Sequence, residues 1–178
     1  AANTTYYWRV NATSNGTAGA WSDIWNFKTT ANPNINQADS LALVAFYNST
    51  GGANWTTKTN WLQQGKRVKD WYGITVTGDR VTGIYFWGNN LSGTLPTEIG
   101  NLTVLTSLSL INSTNLKGEL PASMANLKAL QTLRLQDMGF TGSIPSWIGD
   151  LSNLTTLYLW GVPFTGTIPN ELQKLSNL

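Results

Sequence analysis

The sequence contains no cysteine and no histidine. Together these absences exclude thiol nucleophiles, disulfide frameworks, imidazole acid–base pairs and the usual zinc ligand sets. Charge is also scarce, with 11 basic and 9 acidic residues spread over 178 positions and a formal net charge of +2. The densest basic run, Lys66-Arg67 with Lys69, is too short for a nucleic-acid footprint and fits a solvated loop. No apolar run is longer than residues 41–47, well short of a transmembrane segment. Any chemistry would rest on carboxylates, hydroxyls or lysines, and no metal or cofactor is expected. With 41% hydrophobic residues, the chain has enough apolar material for a packed core.

What the sequence does contain is a repeat. Segments beginning at Leu102, Leu127 and Leu151 share the pattern L-x-x-L-x-x-L-x-L, then [LF]-x-G-x-[LI]-P, and start 25 and 24 residues apart. The first carries Leu108, Leu110, Leu116, Gly118, Leu120 and Pro121; the second Leu133, Leu135, Phe140, Gly142, Ile144 and Pro145; the third Leu157, Leu159, Phe164, Gly166, Ile168 and Pro169. A partial copy precedes them, from Val81 through Ile84, Phe86, Asn89, Leu91, Gly93, Leu95 and Pro96, and another starts at Leu175. Each L-x-L predicts a short strand with both leucines pointing inward, and each G-x-[LI]-P a second extended segment where proline is tolerated. One coil cannot bury its own leucines, so the coils must stack.

This pattern over residues 79–178 resembles the plant-type leucine-rich repeat. The resemblance implies an α/β solenoid, a right-handed coil of four repeats plus the start of a fifth over residues 81–178. It also implies an asparagine at the twelfth repeat position, satisfying backbone groups of the turn. Asn89 keeps it, the second repeat has a one-residue insertion within residues 111–115, and Met138 and Val162 stand in the later repeats. The turns there must find other donors, so asparagine at 138 or 162 is expected to be tolerated. Residues 39–80 resemble the family's helical N-terminal cap. Asp39 is expected to cap a helix through Leu41, Val44, Ala45 and Phe46, followed by Gly51-Gly52-Ala53-Asn54-Trp55, Asn60-Trp61 and Asp70-Trp71-Tyr72-Gly73-Ile74. Plant relatives place cysteines around the last element. Their absence here points to a cysteine-free, bacterial surface-protein type of cap, with Trp55, Trp61 and Trp71 as core plugs.

Residues 1–30 alternate with period two rather than repeating every 24 residues. Tyr6, Trp8, Val10 and Ala12 share one face, Asn15-Gly16 and Gly19 supply a turn, and a second strand follows around Trp25 and Phe27. T-x-Y-x-W-R-V-x-A, then G-A-W-S and F-K-T-T, resembles the last two strands of a fibronectin type III domain, with Tyr6 at that family's corner position. The expectation is a β-hairpin remnant of a β-sandwich, joined by a linker at residues 31–38.

The repeat register picks out residues that face outward from the concave strands. Between the two strand leucines stand Tyr85, Ser109, Arg134 and Tyr158; just after the second stand Trp87, Ile111, Gln136 and Trp160. Exposed aromatics with an arginine are what a recognition surface uses, and these eight form the candidate site for a protein or glycan ligand. Of nine carboxylates only Asp137 falls near it, whereas Glu98, Glu119, Asp150 and Glu171 belong to convex or edge stretches. A glycosidase needs two facing carboxylates, so catalysis is not expected. Nine N-x-[ST] sequons occur, at Asn3, Asn11, Asn15, Asn48, Asn54, Asn90, Asn101, Asn112 and Asn153, in a chain generally rich in Asn and Thr. Asp39-Ser40-Leu41 also resembles a short bacterial O-glycosylation motif. The expected role is a recognition module of a larger secreted or cell-surface, adhesin-like protein. The competing class is a stalk or fibre spacer whose concave face serves lateral contacts or self-association. The fifth copy breaks off at Leu178, so the solenoid is expected to run on. A full-length sequence that stopped within a few residues of Leu178 would contradict this.

Overall fold

The computed structural model describes residues 35–178 in full. Of the first thirty-four residues it describes only the strands β1 (Thr4–Trp8), β2 (Thr13–Ser14), β3 (Thr17–Ala18) and β4 (Trp25–Thr29). The chain divides into two units, residues 1–34 and residues 35–178. In the first unit β1 pairs antiparallel with β4, setting Tyr6 opposite Phe27 and Trp8 opposite Trp25, and β2 pairs antiparallel with β3. The Asn15-Gly16 turn, Gly19, the corner role of Tyr6, residues 31–34 of the linker and the sequons at Asn3, Asn11 and Asn15 lie outside the described residues.

The second unit opens with α1 (Gln37–Ser49). Its N-cap is Asn36, whose Oδ1 accepts from the N–H groups of Ala38 (2.9 Å) and Asp39 (3.4 Å). This corrects two expectations: the helix begins inside the stretch read as linker, and Asp39 is not its cap. Asp39 is instead fully buried, accepting from Arg80 Nε and Nη2 at 3.0 Å each and from Val81 N–H at 2.7 Å. A buried carboxylate is tolerable only when its charge is paired and its lone pairs are used, and both conditions hold here. The same burial hides the acidic residue of the Asp39-Ser40-Leu41 triplet from any modifying enzyme. Hydrogen bonding to Asp39 raises the Arg80 pKa further, against the lowering effect of burial.

Ala42, Leu43 and Phe46 turn one face of α1 into the core. Around Phe46 the tryptophans collect: its ring centroid lies 5.6 Å from that of Trp55 and 5.7 Å from that of Phe86, on the first coil. Trp61 meets Trp55 edge-on at 4.9 Å and Trp71 at 4.6 Å. Trp55 and Trp61 donate their indole N–H groups to the carbonyls of Thr50 (2.9 Å) and Tyr72 (2.8 Å). All three tryptophans are buried, as the core-plug role requires.

The main sheet runs β5 (Ile74–Thr77), β6 (Arg80–Trp87), β8 (Ser107–Gly118), β9 (Thr132–Phe140) and β10 (Thr156–Tyr158). It is mixed: β5 is antiparallel to β6, and the rest are parallel. The antiparallel strand was not legible in the repeat, because it lies before the first copy. A second, narrower ladder forms where β7 (Ser92–Thr94) pairs with the end of β8, and Ser143 bridges Thr165 one side further on. Opposite the main sheet, 3-10 turns recur at Thr97–Asn101, Ala122–Asn126, Ser146–Asp150 and Asn170–Lys174, each following a proline. Between these walls Leu108, Leu110, Leu133, Leu135 and Phe140 are fully buried in one continuous core.

The asparagine position differs from expectation. Asn89 does not serve its own turn. Its Oδ1 accepts from Thr57 N–H (2.6 Å) and its Nδ2 donates to Thr57 O (2.9 Å), stitching the tryptophan-rich segment to the first coil. The register puts Ser113 opposite Met138, so the inserted residue of the second coil falls after Ser113. Met138 is 1% exposed and belongs to the core. Coil-to-coil bonds come from other side chains: Thr106 Oγ1 to Thr82 O (2.9 Å), Asn153 Nδ2 to Lys128 O (2.7 Å), Thr155 Oγ1 to Gln131 O (3.1 Å) and Asn177 Nδ2 to Ser152 O (2.9 Å). Tolerance of asparagine at 138 is therefore withdrawn. Met138→Asn removes buried apolar surface and buries an amide, so it should destabilise the fold by about 2 kcal/mol or more. Urea denaturation measures this, and an unchanged midpoint would mean that the turn still offers the amide partners.

Candidate functional site

Alternation along each strand sends one leucine row inward and leaves the residues between them outward. Pairing then aligns those outward residues across the sheet. Gly83, Ser107, Thr132 and Thr156 form one row, and Tyr85, Ser109, Arg134 and Tyr158 the next. Trp87, Ile111 and Gln136 form the third, which Trp160 extends by continuing the same register two residues past Tyr158. All eight residues picked from the sequence therefore lie in two adjacent rows on one face of the sheet.

They are not equally available. Tyr85 and Tyr158 are 49% and 48% exposed, and Trp87 and Trp160 are both 62% exposed. Ser109 and Ile111 are only 7% and 6% exposed, which corrects their assignment as contacts. Both are short side chains flanked in register by Tyr85 and Arg134, or by Trp87 and Gln136. Strands about 4.8 Å apart let such large neighbours close over them. They form the floor of the site.

Just beyond the third row the backbone turns left-handed in every coil, with φ of +58° at Gly88, +55° at Asn112, +51° at Asp137 and +67° at Gly161. Only glycine, asparagine and aspartate adopt this region readily. In the two middle coils the residues that satisfy it also carry polar side chains. With its amide oxygen turned toward β6, Asn112 accepts from Trp87 Nε1 at 3.0 Å, while its nitrogen donates to Asp137 Oδ2 at 2.9 Å. Gln136 Nε2 also donates to Asp137 Oδ2 (3.2 Å), and Gln136 Oε1 accepts from Arg134 Nη2 (2.7 Å). The Arg134 guanidinium lies 5.0 Å from the Tyr158 ring centroid, within cation–π range. A continuous polar chain thus links the first coil's indole to the last coil's phenol. Gly161 sits against Asp137: a Cβ there would lie 2.2 Å from Asp137 Oδ1, and its φ of +67° disfavours any side chain.

Asn112 and Asp137 were missing from the residues picked by strand register, because they stand one place beyond the outward strand positions. A signal for them existed: Gly88, Asn112, Asp137 and Gly161 form a column of residue types that share left-handed tolerance. The charges of Arg134 and Asp137 oppose each other, so these rows carry no net charge. Among the described residues, no cluster of acidic side chains could hold a metal ion. Glu98, Asp150 and Glu171 lie in the 3-10 turns on the far side, as expected for convex positions.

A sequence model of the leucine-rich repeat region matches residues 87–178. No curated protein matches. Among solved structures, the chain is similar to a plant ice-binding protein, with 27% identity, 82% of this chain and 47% of that chain covered, and a TM-score of 0.75. It is also similar to the leucine-rich-repeat ectodomain of the receptor kinase SOBIR1 from Arabidopsis thaliana (28% identity, 81% and 77% covered, TM-score 0.65). A third likeness is to the Arabidopsis receptor kinase HAESA, solved in complex with the peptide hormone IDA and the co-receptor SERK1 (38% identity, 53% and 16% covered, TM-score 0.51). The chain spans about half the length of the ice-binding protein and a small part of HAESA.

The bond between Asn112 and Trp87 is directly testable. Asn112→Gly keeps the left-handed backbone but deletes the amide, so global stability should fall by no more than about 1 kcal/mol. The Trp87 indole N–H resonance should move and exchange faster with water in NMR spectra. An unmoved resonance would mean that the indole is held by something other than Asn112.

Proposed function

The chain belongs to the leucine-rich-repeat family, and from that premise we propose that it is an extracellular recognition module. Its ligand, a protein or a glycan, lies across the outer face of the main sheet, and the module serves a larger secreted or surface-anchored protein of adhesin type. Residues 39–80 with the start of α1 act as the N-terminal cap, and residues 1–30 are the closing strands of a fibronectin type III domain. One observation carries the proposal: four aromatic side chains, each about half exposed or more, stand in two matched pairs on one face of a rigid ladder. Water gains little from four such rings held open, whereas a ligand that covers them gains apolar burial and fixed geometry.

Support also comes from the relatives, since SOBIR1 contributes a receptor-kinase ectodomain and HAESA was solved with a peptide hormone in place. A binding role fits the chemistry better than a catalytic one. Asp137 is the one carboxylate at the rows, and its Oδ2 already accepts from Asn112 and Gln136.

Trp160→Ala should lower affinity for a partner found on peptide or glycan arrays at least tenfold, about 1.4 kcal/mol, with an unchanged circular dichroism spectrum. Arg134→Ala should produce a large, salt-sensitive loss only for an acidic ligand. If Trp160→Ala folds and binds normally, the aromatic face is not the recognition surface. If arrays stay silent while lateral assembly of the whole protein is lost, the face serves a spacer.

A further inference from the structure

Resting on the recognition role just proposed, we infer that the ligand is a neutral carbohydrate chain. One sugar ring stacks on the Trp87 indole and another on Trp160, with Asp137, Asn112 and Gln136 bonding the hydroxyls between them.

Three features of the face lead there. The first is the kind of apolar surface it offers. Every large apolar side chain exposed on these rows is aromatic, and the one aliphatic side chain, Ile111, is 6% exposed. A flat ring is what the C–H face of a pyranose needs, because its slightly positive hydrogens meet the negative face of the π system. Trp87 is already set for this: its N–H edge is held by Asn112 at 3.0 Å, while the side chain stays 62% exposed. An indole tied by its edge loses little further freedom when a ring stacks on it.

The second feature is the polar equipment. Neighbouring sugar hydroxyls present two oxygens side by side, which match two-pronged planar groups such as carboxylates, amides and guanidinium. Asn112, Gln136, Asp137 and Arg134 are all of that kind and lie between the aromatic pairs. Asp137 Oδ2 is engaged by Asn112 and Gln136, while Oδ1 has no hydrogen-bond partner among the described residues. The adjoining row adds hydroxyls from Ser107, Thr132 and Thr156. Arg134 and Asp137 cancel in charge, so the face has no electrostatic preference for an anionic chain.

The third feature is spacing. Trp87 and Trp160 stand three strand spacings apart, about 14 Å, a span suited to a linear chain of linked rings laid across the strands.

The test is isothermal titration of the whole 178-residue chain with neutral hexasaccharides of β-1,4-glucose, β-1,3-glucose, β-1,4-xylose and β-1,4-mannose. In parallel, a random peptide display library is selected on the same protein. At least one hexasaccharide should bind with little dependence on salt. Trp87→Ala and Trp160→Ala should each weaken it tenfold or more, Trp87→Phe less than Trp87→Ala, and Asp137→Asn several-fold. The phenylalanine and asparagine variants, which keep ring and backbone preferences, hold the test open should Trp87→Ala fail to fold. If only peptides bind, and lose affinity in Trp87→Phe or Trp160→Ala, the carbohydrate assignment falls and the recognition face stands. Sulfated and uronate hexasaccharides are titrated alongside, and binding confined to these, abolished by Arg134→Ala, overturns the neutral assignment. If neither hexasaccharides nor peptides bind, both fall.

Discussion

Everything in residues 35–178 depends on one packing constraint: a single coil of about 24 residues cannot enclose its own leucines. Leu108, Leu110, Leu133 and Leu135 become fully buried only because each coil lies flat against the next, in parallel register. Backbone pairing sets that spacing at about 4.8 Å, and side chains have no freedom to alter it. Where two coils differ in length the extra chain is pushed out locally. In the second coil it bulges after Ser113, and the carbonyl of Thr114 comes so close to Gly139 that a Cβ there would lie 2.2 Å away. The insertion is absorbed and the ladder resumes, because slipping the whole strand would expose its leucines.

The same constraint shapes the outer face. A ladder that cannot slip holds Tyr85, Arg134 and Tyr158 in one row and Trp87, Gln136 and Trp160 in the next, without spending side-chain contacts to do so. Those side chains are then free to bond one another, from the Trp87 indole through Asn112, Asp137 and Gln136 to Arg134 and Tyr158. The scaffold below and the bonds among Trp87, Asn112, Asp137, Gln136 and Arg134 above leave that part of the surface little conformational entropy to lose.

At the other end of the stack the first coil needs a neighbour that is not a coil. Residues 35–80 supply it with large aromatics rather than leucines. Phe46, Trp55 and Trp61 pack against Phe86, and Trp71 packs on Trp61 behind them. Two polar devices then fix the junction: Asp39 binds Arg80 and the Val81 N–H, and Asn89 holds both backbone groups of Thr57. Both are directional, so they select one seating of this segment where apolar packing alone would accept several.

The repeat, its strands, the inward leucines and the outward rows were all legible in the amino-acid sequence, because each follows from a local rule applied at a fixed period. Alternation decides which residues point in, and recurrence decides which ones meet. The buried role of Trp55, Trp61 and Trp71 was legible too, since in a chain without cysteine large aromatic side chains are the material left to fill such a core. Three things were decided only by the tertiary structure. Ser109 and Ile111 lost their exposure to neighbours on adjacent strands, and no single repeat reveals the size of its neighbours' side chains. Asp39 exchanged a helix cap for a buried ion pair because Arg80, 41 residues away in sequence, is brought against it by the fold. Asn112 and Asp137 joined the site because a left-handed turn in each coil lifts them beside the indole and the glutamine. Local pattern determines what each residue can do, and only packing determines which partner it meets.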